Sequence, residues 1–177
     1  MEKLVITGGK KLGGEISVHG SKNAVLPIMA AALLIKGETV LHNVPNLSDV
    51  DASAKILRCL GAKVKQENNT LVIDASTVSG NCIPEKLMRE MRSSIIFLGS
   101  LLSRCGEAVL CPPGGCDIGI RPIDLHISSL KMLGAQIGES GNCICCKASK
   151  LHGAKVFLSF PSVGATENII CLLYTSP

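Results

Sequence analysis

Aromatic residues are nearly absent from this sequence of 177 residues, which contains three Phe, one Tyr and no Trp. Proteins that bind single-stranded nucleic acid stack the bases on several aromatic side chains, so this shortage excludes such a binding platform. Hydrophobic residues nevertheless make up 46% of the chain and charged residues only 18%. That balance excludes intrinsic disorder and a coiled coil, and it predicts a folded protein with an aliphatic core.

Basic runs and long apolar runs are missing as well. The 18 Lys and Arg residues outnumber the 14 Asp and Glu residues, giving a net charge of +4, but they are scattered along the chain, so no nucleic-acid partner is expected. The longest apolar stretch, residues 24–35, has 12 residues and contains Pro27, whereas a membrane-spanning helix needs about 20. Residues 1–7 lack the apolar core of a signal peptide. We therefore expect no membrane span and a cytoplasmic location.

Cysteine and histidine patterns of well-known metal and catalytic sites are also absent. The nine Cys residues, in a chain without an export signal, are predicted to be free thiols of a reducing compartment. The run Cys143-Ile-Cys-Cys146 has metal-ligand spacing, but it lacks a second pair of ligands and is better explained as a β-strand. His42, His126 and His152 have no nucleophile at a recognisable spacing, and no phosphate-binding or nucleophile-elbow glycine motif occurs.

What the sequence does contain is an internal repeat. Residues 56–64 match residues 129–137 at an offset of 129 − 56 = 73, whereas residues 37–41 match residues 106–110 at an offset of 106 − 37 = 69. The second copy therefore carries 73 − 69 = 4 additional residues, within the Pro- and Gly-rich segment 111–122. A loop that is lengthened in one copy of a repeat is a common place for a functional site.

Hydrophobic periodicity and the positions of Gly and Pro predict α/β repeats, with helices and strands alternating in each copy. In the first copy we expect helices at 23–35 and 50–60, a strand at 38–42, and a hairpin of strands 62–65 and 70–74. In the second we expect helices at 84–104 and 122–133, a strand at 107–111, and a hairpin of strands 135–137 and 143–146. A strand at 155–160 and a helix from residue 165 would open a third copy, and residues 4–7 and 15–19 would form a separate strand pair.

The first candidate site is the run His19-Gly-Ser-Lys-Asn23, which leads into an apolar helix. Free backbone N–H groups at a helix N-terminus, a Gly that permits close approach and a Lys together favour anion binding. The alternative is a capped helix that carries Lys22 on its surface.

The second candidate is Cys116, which lies in the lengthened loop between Gly114-Gly115 and Gly119. Arg121, and Arg92 from another helix, would stabilise the thiolate and make Cys116 reactive. A loop with this many glycines could also close over a substrate. The alternative is an inert surface Cys.

The third candidate is Arg92, in the run Met91-Arg-Ser-Ser94 of an otherwise apolar helix. The offset of 69 relates it to the pair Lys22-Asn23, and residues 166–168 are a third equivalent. Three polar segments that begin buried helices and are related by a repeat would converge on one end of the fold. The alternative is a structural Arg92 that pairs with a carboxylate such as Glu90 or Asp117.

The runs Gly20-Ser-Lys-Asn23, residues 113–126 and residues 161–168 together resemble a bacterial family, the UDP-N-acetylglucosamine 1-carboxyvinyltransferases. The resemblance extends in order from Met1 to about Ile170, and the loop around Cys116 is its most specific part. It implies two domains, each built of three such repeats with helices inside and strands outside, an inside-out α/β barrel that is truncated here.

The resemblance also implies an activity. The enolpyruvyl group of phosphoenolpyruvate would pass to the 3′-hydroxyl of UDP-N-acetylglucosamine (UDP-GlcNAc) with release of phosphate, the first committed step of peptidoglycan synthesis, which supports cell shape and division. The expected partners are these two small molecules, no metal or organic cofactor is expected, and the enzyme would be cytoplasmic and a target of fosfomycin.

The resemblance assigns roles to particular residues. Lys22 and Asn23 would hold phosphoenolpyruvate, Cys116 would donate a proton to its methylene carbon and be alkylated by fosfomycin, and Arg121 would neutralise charge near the phosphate. The residues that would contact UDP-GlcNAc are Arg92, Arg121, Pro122, Ile123, Asp124, Leu125, Ser162, Val163 and Gly164. The family's general base, an Asp, has no counterpart in this chain, so we expect the chain alone to be inactive as a transferase.

On this basis residues 1–20 are expected to form a strand pair of a domain whose remainder is missing, and residues 21–170 an incomplete repeat domain. Residues 171–177 contain the single Tyr and end on a Pro, and they are predicted to be a non-native tail. Two other functions stay open: a shikimate-pathway-type enolpyruvyl transferase, against which the lengthened Cys loop argues, and a repeat module without catalytic activity.

Overall fold

The computed structural model describes residues 3–114 and 122–174. These residues form six α-helices, two short 3-10 helices and seven strands in two separate sheets. The mixture of helices and strands agrees with the predicted α/β repeats. Neither sheet closes into a barrel within the described part of the chain.

The first copy of the repeat contains a three-stranded antiparallel sheet and two helices. Helix α1 (Lys22–Ala31) continues into a 3-10 helix (Ala32–Leu34), strand β1 (Glu38–Leu41) follows, then helix α2 (Ser48–Cys59) and the hairpin of β2 (Lys63–Glu67) and β3 (Thr70–Asp74). Strand β3 lies between β1 and β2. Gly61, with φ +99°, ends α2 in the left-handed conformation expected of a helix-terminating glycine.

The second copy repeats this order around a four-stranded sheet. Its elements are β4 (Cys82–Ile83), α3 (Glu85–Met88), a 3-10 helix (Arg92–Ile96), α4 (Phe97–Cys105), β5 (Glu107–Leu110), α5 (Asp124–Met132), β6 (Gln136–Ser140) and β7 (Cys143–Lys147). The strand order is β4-β5-β7-β6. Helix α6 (Val163–Leu173) then follows, so residues 171–173 continue a helix, in which Cys171 and Leu172 are buried.

The prediction of one helix over residues 84–104 is wrong, because the helix is interrupted at Met91. This buried residue is extended, with φ −148° and ψ 150°. The Ser94 hydroxyl donates to the carbonyls of Met88 and Met91, and the N–H of Gly114 also donates to Met88. These carbonyls therefore do not serve a continuous helix, and Arg92 begins a new helical segment.

The strands predicted at 4–7, 15–19 and 155–160 are also wrong for the described chain, where these residues are not in strands. Leu4 and Ile16 are 88% and 90% exposed. A strand needs a neighbour to accept its backbone hydrogen bonds, and no sheet of the described residues pairs with these segments. The assignment of residues 1–20 to another domain stays a prediction.

The core is aliphatic, as the composition predicts. Helix α4 packs against α1 and α6, and α5 packs against α6. Phe97 is the one aromatic side chain buried in this core, since Phe157, Phe160 and Tyr174 are all exposed. None of the helices in the two described ranges is long and apolar enough to cross a membrane.

The prediction that all cysteines are free thiols is corrected at one pair. A disulfide joins Cys111 to Cys143, with their Cα atoms 4.1 Å apart. The register explains the contact, because Leu110 of β5 lies opposite Ile144 of β7 and the next positions along the two antiparallel strands are Cys111 and Cys143. The sequence pattern could not show this pairing, which depends on a strand partner 32 residues away.

Candidate anion-binding cleft

An open cleft of about 390 Å³ lies where several helices begin. Its walls come from the start of α1, the 3-10 helix Arg92–Ile96, the first turns of α5 and α6, and Asp49 of α2. The three polar segments related by the repeat all contribute, through Lys22 and Asn23, through Arg92 and Ser93, and through Glu167. The cleft is therefore assembled from equivalent ends of the repeated unit.

Lys22 is the first residue of α1, and its ammonium is held at the cleft by a carboxylate. Its Nζ lies 3.0 Å from Oδ2 of Asp49, in the first turn of α2. The preceding Gly20 packs against the backbone of Asn43 so closely that a Cβ would overlap the Asn43 carbonyl oxygen. Gly20 therefore serves the packing of the chain that leads into Lys22, a role that the sequence did not show.

Arg92 is half-buried and begins its 3-10 helix at the wall of the cleft. One carboxylate proposed above as its structural partner, Glu90, instead accepts a hydrogen bond of 2.8 Å from Lys55. The other, Asp117, lies outside the described residues. The positive charge of Arg92 is close enough to act on the His126 imidazole, whose pKa it lowers.

The beginning of α6 forms another part of the cleft wall. Ser162 caps this helix, because its Oγ accepts a hydrogen bond of 3.3 Å from the N–H of Ala165. Gly164 lies against the ring of His126, and a Cβ there would be 3.2 Å from His126 Cε1. The free N–H groups and the partial positive charge of a helix N-terminus favour an anion in the cleft.

His126 and Asn168 form a buried pair that sequence reasoning missed. Asn168 is fully buried, His126 is 8% exposed, and Asn168 Nδ2 lies 2.7 Å from His126 Nδ1. Burial first, and the charge of Arg92 second, lower the pKa of His126 to about 4, against the opposing effect of Asp124. The one available signal was a polar residue, Asn168, in the middle of an apolar helix.

A second cleft, of about 510 Å³, adjoins the first and shares Pro122 and Ser162 with it. Asp124 and Leu125 line this second cleft, together with residues 159–161. The two clefts therefore meet at Pro122 and Ser162.

The predicted site residues therefore divide into groups. Those brought together in the first cleft are Lys22, Asn23, Arg92, Pro122, Ser162 and Gly164. Asp124 and Leu125 lie in the second cleft, while Ile123 faces a separate hollow beside Pro112. Val163 is 77% exposed at the first position of α6. Cys116 and Arg121 lie outside the described residues.

Potential metal ligands are scattered through the described residues. Among them, no three His, Cys, Asp or Glu side chains come close enough to share a metal ion. Cys143-Ile-Cys-Cys146 forms strand β7 as predicted, and burial, with a smaller effect from Cys145, raises the pKa of Cys146 to about 12. That thiol stays protonated and is a poor metal ligand.

Comparison with known proteins identifies the family. Residues 6–176 match the family described as EPSP synthase (3-phosphoshikimate 1-carboxyvinyltransferase). UDP-N-acetylglucosamine 1-carboxyvinyltransferase 2 of Caldanaerobacter subterraneus subsp. tengcongensis is 51% identical over 96% of this chain and 41% of its own length. UDP-N-acetylglucosamine 1-carboxyvinyltransferase 1 of Carboxydothermus hydrogenoformans is 47% identical over 96% of this chain and 40% of its own. The chain thus spans about two fifths of the length of these relatives.

Solved structures show the same fold at low identity. The enolpyruvyl transferase NikO from Streptomyces tendae superposes with a TM-score of 0.78 and 20% identity, over 93% of this chain and 39% of that one. EPSP synthase from Acinetobacter baumannii gives a TM-score of 0.68 and 18% identity, over 90% and 37%. The predicted enolpyruvyl transferase fold is thereby confirmed. The chain belongs to the EPSP synthase (3-phosphoshikimate 1-carboxyvinyltransferase) family of enolpyruvyl transferases, and the curated relatives named here carry the UDP-N-acetylglucosamine 1-carboxyvinyltransferase name.

Proposed function

We propose that the protein to which this chain belongs transfers the enolpyruvyl group of phosphoenolpyruvate to the 3′-hydroxyl of UDP-GlcNAc and releases phosphate. The observation that carries this proposal is the cleft in which Lys22 and Arg92 meet the N-terminus of α6, with Asp49 and Glu167 also in its lining. Both substrates carry phosphate groups, and preorganised positive charge is the main way to stabilise the charge that develops on them during transfer. Relatives that are 44–51% identical carry the name UDP-N-acetylglucosamine 1-carboxyvinyltransferase, which supports the choice of this acceptor.

Within this proposal the first cleft holds the reacting groups. Lys22 and Asn23 at the start of α1 bind phosphoenolpyruvate, while Arg92 and the first turn of α6, at Ser162 and Gly164, bind phosphate groups of UDP-GlcNAc. This division is supported by the lining of the cleft, to which both the start of α1 and the first turn of α6 contribute. Val163, which is exposed beside these groups, contributes its backbone N–H.

The second cleft suits the rest of an elongated nucleotide sugar. Asp124 and Leu125 line it, and Pro122 and Ser162 connect it to the first cleft. UDP-GlcNAc is long enough to occupy two adjoining clefts, whereas phosphoenolpyruvate fills only one. Ile123 lies between Pro122 and Asp124 in the sequence and lines the separate hollow beside Pro112.

The roles that we propose for Cys116 and Arg121 rest on the sequence alone. Cys116 donates a proton to the methylene carbon of phosphoenolpyruvate and is the thiol that fosfomycin alkylates, and Arg121 neutralises nearby phosphate charge. The reaction belongs to the bacterial cytoplasm and to cell-wall synthesis. Removal of the proton from the sugar hydroxyl requires a base in the remainder of the full-length protein.

The test is phosphate release by the full-length protein, with phosphoenolpyruvate and either UDP-GlcNAc or shikimate 3-phosphate as the acceptor. We expect turnover with UDP-GlcNAc alone. Turnover with shikimate 3-phosphate alone would support the other activity that the family name describes. Turnover with neither acceptor, together with no binding of UDP-GlcNAc, would favour a non-catalytic repeat module.

A further inference from the structure

A hydrogen-bond network lies beside the cleft and joins four helical elements, α4, α5, α6 and the 3-10 helix Arg92–Ile96. Asn168 of α6 contacts the backbone of Ile95 and Gly99 and the imidazole of His126 on α5. Asn168 is fully buried and His126 is 8% exposed, so water does not compete for these bonds. Each polar group therefore has the partner that the protein supplies.

The backbone determines how the Asn168 amide is turned. The N–H of Gly99 donates to Oδ1 at 2.7 Å, and Nδ2 donates to the carbonyl oxygen of Ile95 at 3.0 Å. Rotating the amide by half a turn would place N–H against N–H and oxygen against oxygen. Because a backbone N–H only donates and a backbone carbonyl only accepts, one orientation satisfies both.

That orientation in turn determines where the His126 ring carries its proton. Asn168 Nδ2 lies 2.7 Å from His126 Nδ1 and has only hydrogens to offer. Nδ1 must therefore accept with its lone pair, and a neutral ring then carries its hydrogen on Nε2. A charged ring would place two N–H groups against each other, which acts in the same direction as the burial that lowers the pKa of His126.

The Nε2 edge of the ring lies at the wall of the cleft. A Cβ on Gly164 would be 3.5 Å from Nε2, so this edge adjoins the first turn of α6, and His126 itself lines the cleft. The charged groups around the ring are Arg92, Asp124 on its own helix, and, across the same cleft, Lys22 and Glu167. A neutral donor adds a hydrogen bond beside two cations without adding a third positive charge.

We propose that Asn168 is a positioning residue that holds His126 as the neutral Nε2–H tautomer, and that this N–H donates to a phosphate oxygen of a substrate in the cleft. The substrate part of this inference rests on the proposed function. The oxygen belongs either to the diphosphate of UDP-GlcNAc or to the phosphate of phosphoenolpyruvate, and separate titrations distinguish the two.

The first test is the tautomer of His126 in the ligand-free 177-residue chain. Long-range ¹H–¹⁵N correlation spectra distinguish a protonated from an unprotonated ring nitrogen, and His126→Gln assigns the signals. We expect an unprotonated Nδ1 and a protonated Nε2 between pH 6 and pH 8. An Nδ1–H tautomer or a charged ring in that range would overturn the proposal.

The second test is Asn168→Asp, which has nearly the same shape but presents an accepting oxygen to Nδ1. We expect the proton to move from Nε2 to Nδ1, because the Asp oxygen accepts from it, and the affinity for one of the two ligands to fall about 10-fold or more through loss of the Nε2–H donor, the usual range for a hydrogen bond to a charged group. A ring that instead becomes charged keeps its Nε2–H, so a fall in affinity of about 10-fold with a charged ring would overturn the donor role. Asn142→Asp, the same change at an exposed hairpin turn, is the control and should alter neither the proton position on His126 nor the affinity for either ligand.

The outcomes separate the two proposals. A changed tautomer with unchanged affinity for both UDP-GlcNAc and phosphoenolpyruvate would overturn the donor role of His126. A wild-type chain with the expected tautomer that binds neither ligand would contradict the proposed function, while the positioning role of Asn168 would stand on the tautomer alone.

Discussion

At the scale of single residues, two lysines form nearly the same ion pair in different places. Lys22 is 49% exposed and pairs with Asp49 at 3.0 Å, and Lys55 is 54% exposed and pairs with Glu90 at 2.8 Å. Lys22 lines the cleft and Lys55 does not. If replacing Lys22 lowers the affinity for a ligand and replacing Lys55 does not, the loss is due to the cleft and not to the ion pair.

We predict that Lys22→Ala weakens the binding of phosphoenolpyruvate by the full-length protein about 10-fold or more, since it removes a charged donor and leaves Asp49 facing the anion. The free energy of unfolding should change by less than about 1 kcal/mol, because exposed ion pairs contribute little. Calorimetric titration and urea unfolding measure the two quantities. Lys55→Ala is the matched control, and an equal loss of affinity there would argue against a local role for Lys22.

The pKa of His126 leads to a second prediction at this scale. Its value of about 4 lies below the ordinary value of 6.5, so the folded state binds fewer protons than the unfolded state between these two pH values. Stability is thus complete above pH 6.5 and falls as the pH drops toward 4, by up to roughly 3 kcal/mol.

This loss is measured by urea unfolding at a series of pH values from 7 to 4. His126→Gln should flatten the pH dependence in this window, because the group that must gain a proton is gone. His152→Gln, at a more exposed site, is the control. A wild-type stability that does not change between pH 6.5 and pH 5 would contradict the assignment of a neutral, buried His126.

At the scale of helices and strands, helices α4 and α6 approach each other closely. A Cβ on Gly99 would overlap the backbone carbonyl of Asn168, so glycine is required where these two helices cross. The same approach brings the Gly99 N–H to the Asn168 side chain. The packing of the two helices and the orientation of the buried amide therefore depend on the same residue.

We predict that Gly99→Ala lowers the free energy of unfolding by about 1–3 kcal/mol, because overpacking forces the helices apart. Helix propensity alone would give the opposite sign, a gain of about 1 kcal/mol for Ala over Gly. Gly37→Ala, where a Cβ meets no atom within 4 Å, is the control and should be neutral or slightly stabilising. Stabilisation by Gly99→Ala in urea unfolding would show that α4 and α6 are not in close contact.

At the scale of the whole molecule, the first segment of the chain stands apart from the core. The apolar side chains of Leu4, Val5, Ile6, Leu12, Ile16 and Val18 are between 82% and 92% exposed. An apolar surface of this kind favours association with other chains.

We predict that deletion of residues 1–19 leaves the free energy of unfolding within about 0.5 kcal/mol of the wild-type value, since these residues bury little surface. The deletion should also reduce self-association of the 177-residue chain. Urea unfolding and light scattering measure these effects. A loss of more than about 2 kcal/mol would show that the segment packs on the core.

Local patterns in the sequence determined much of this protein. The repeat is visible when segments 69 and 73 positions apart are compared. The alternation of helices and strands, the terminating Gly61, and the polar residues at the start of α1 and α6 follow from neighbours a few positions apart. Periodicity and turn chemistry act over that range, so a sequence is sufficient for them. The motifs that resemble the enolpyruvyl transferases are local in the same sense.

Only the tertiary structure decided the features that depend on distant partners. The break at Met91 needs carbonyls bonded by Ser94 and Gly114, and the Cys111–Cys143 pair needs two adjacent strands. The contact between His126 and Asn168 spans 42 residues and depends on three helices that pack together. In our proposal the orientation of the Asn168 amide determines the proton position on His126, and burial is the main cause of its low pKa. Both are properties of the packed chain rather than of any segment of its sequence.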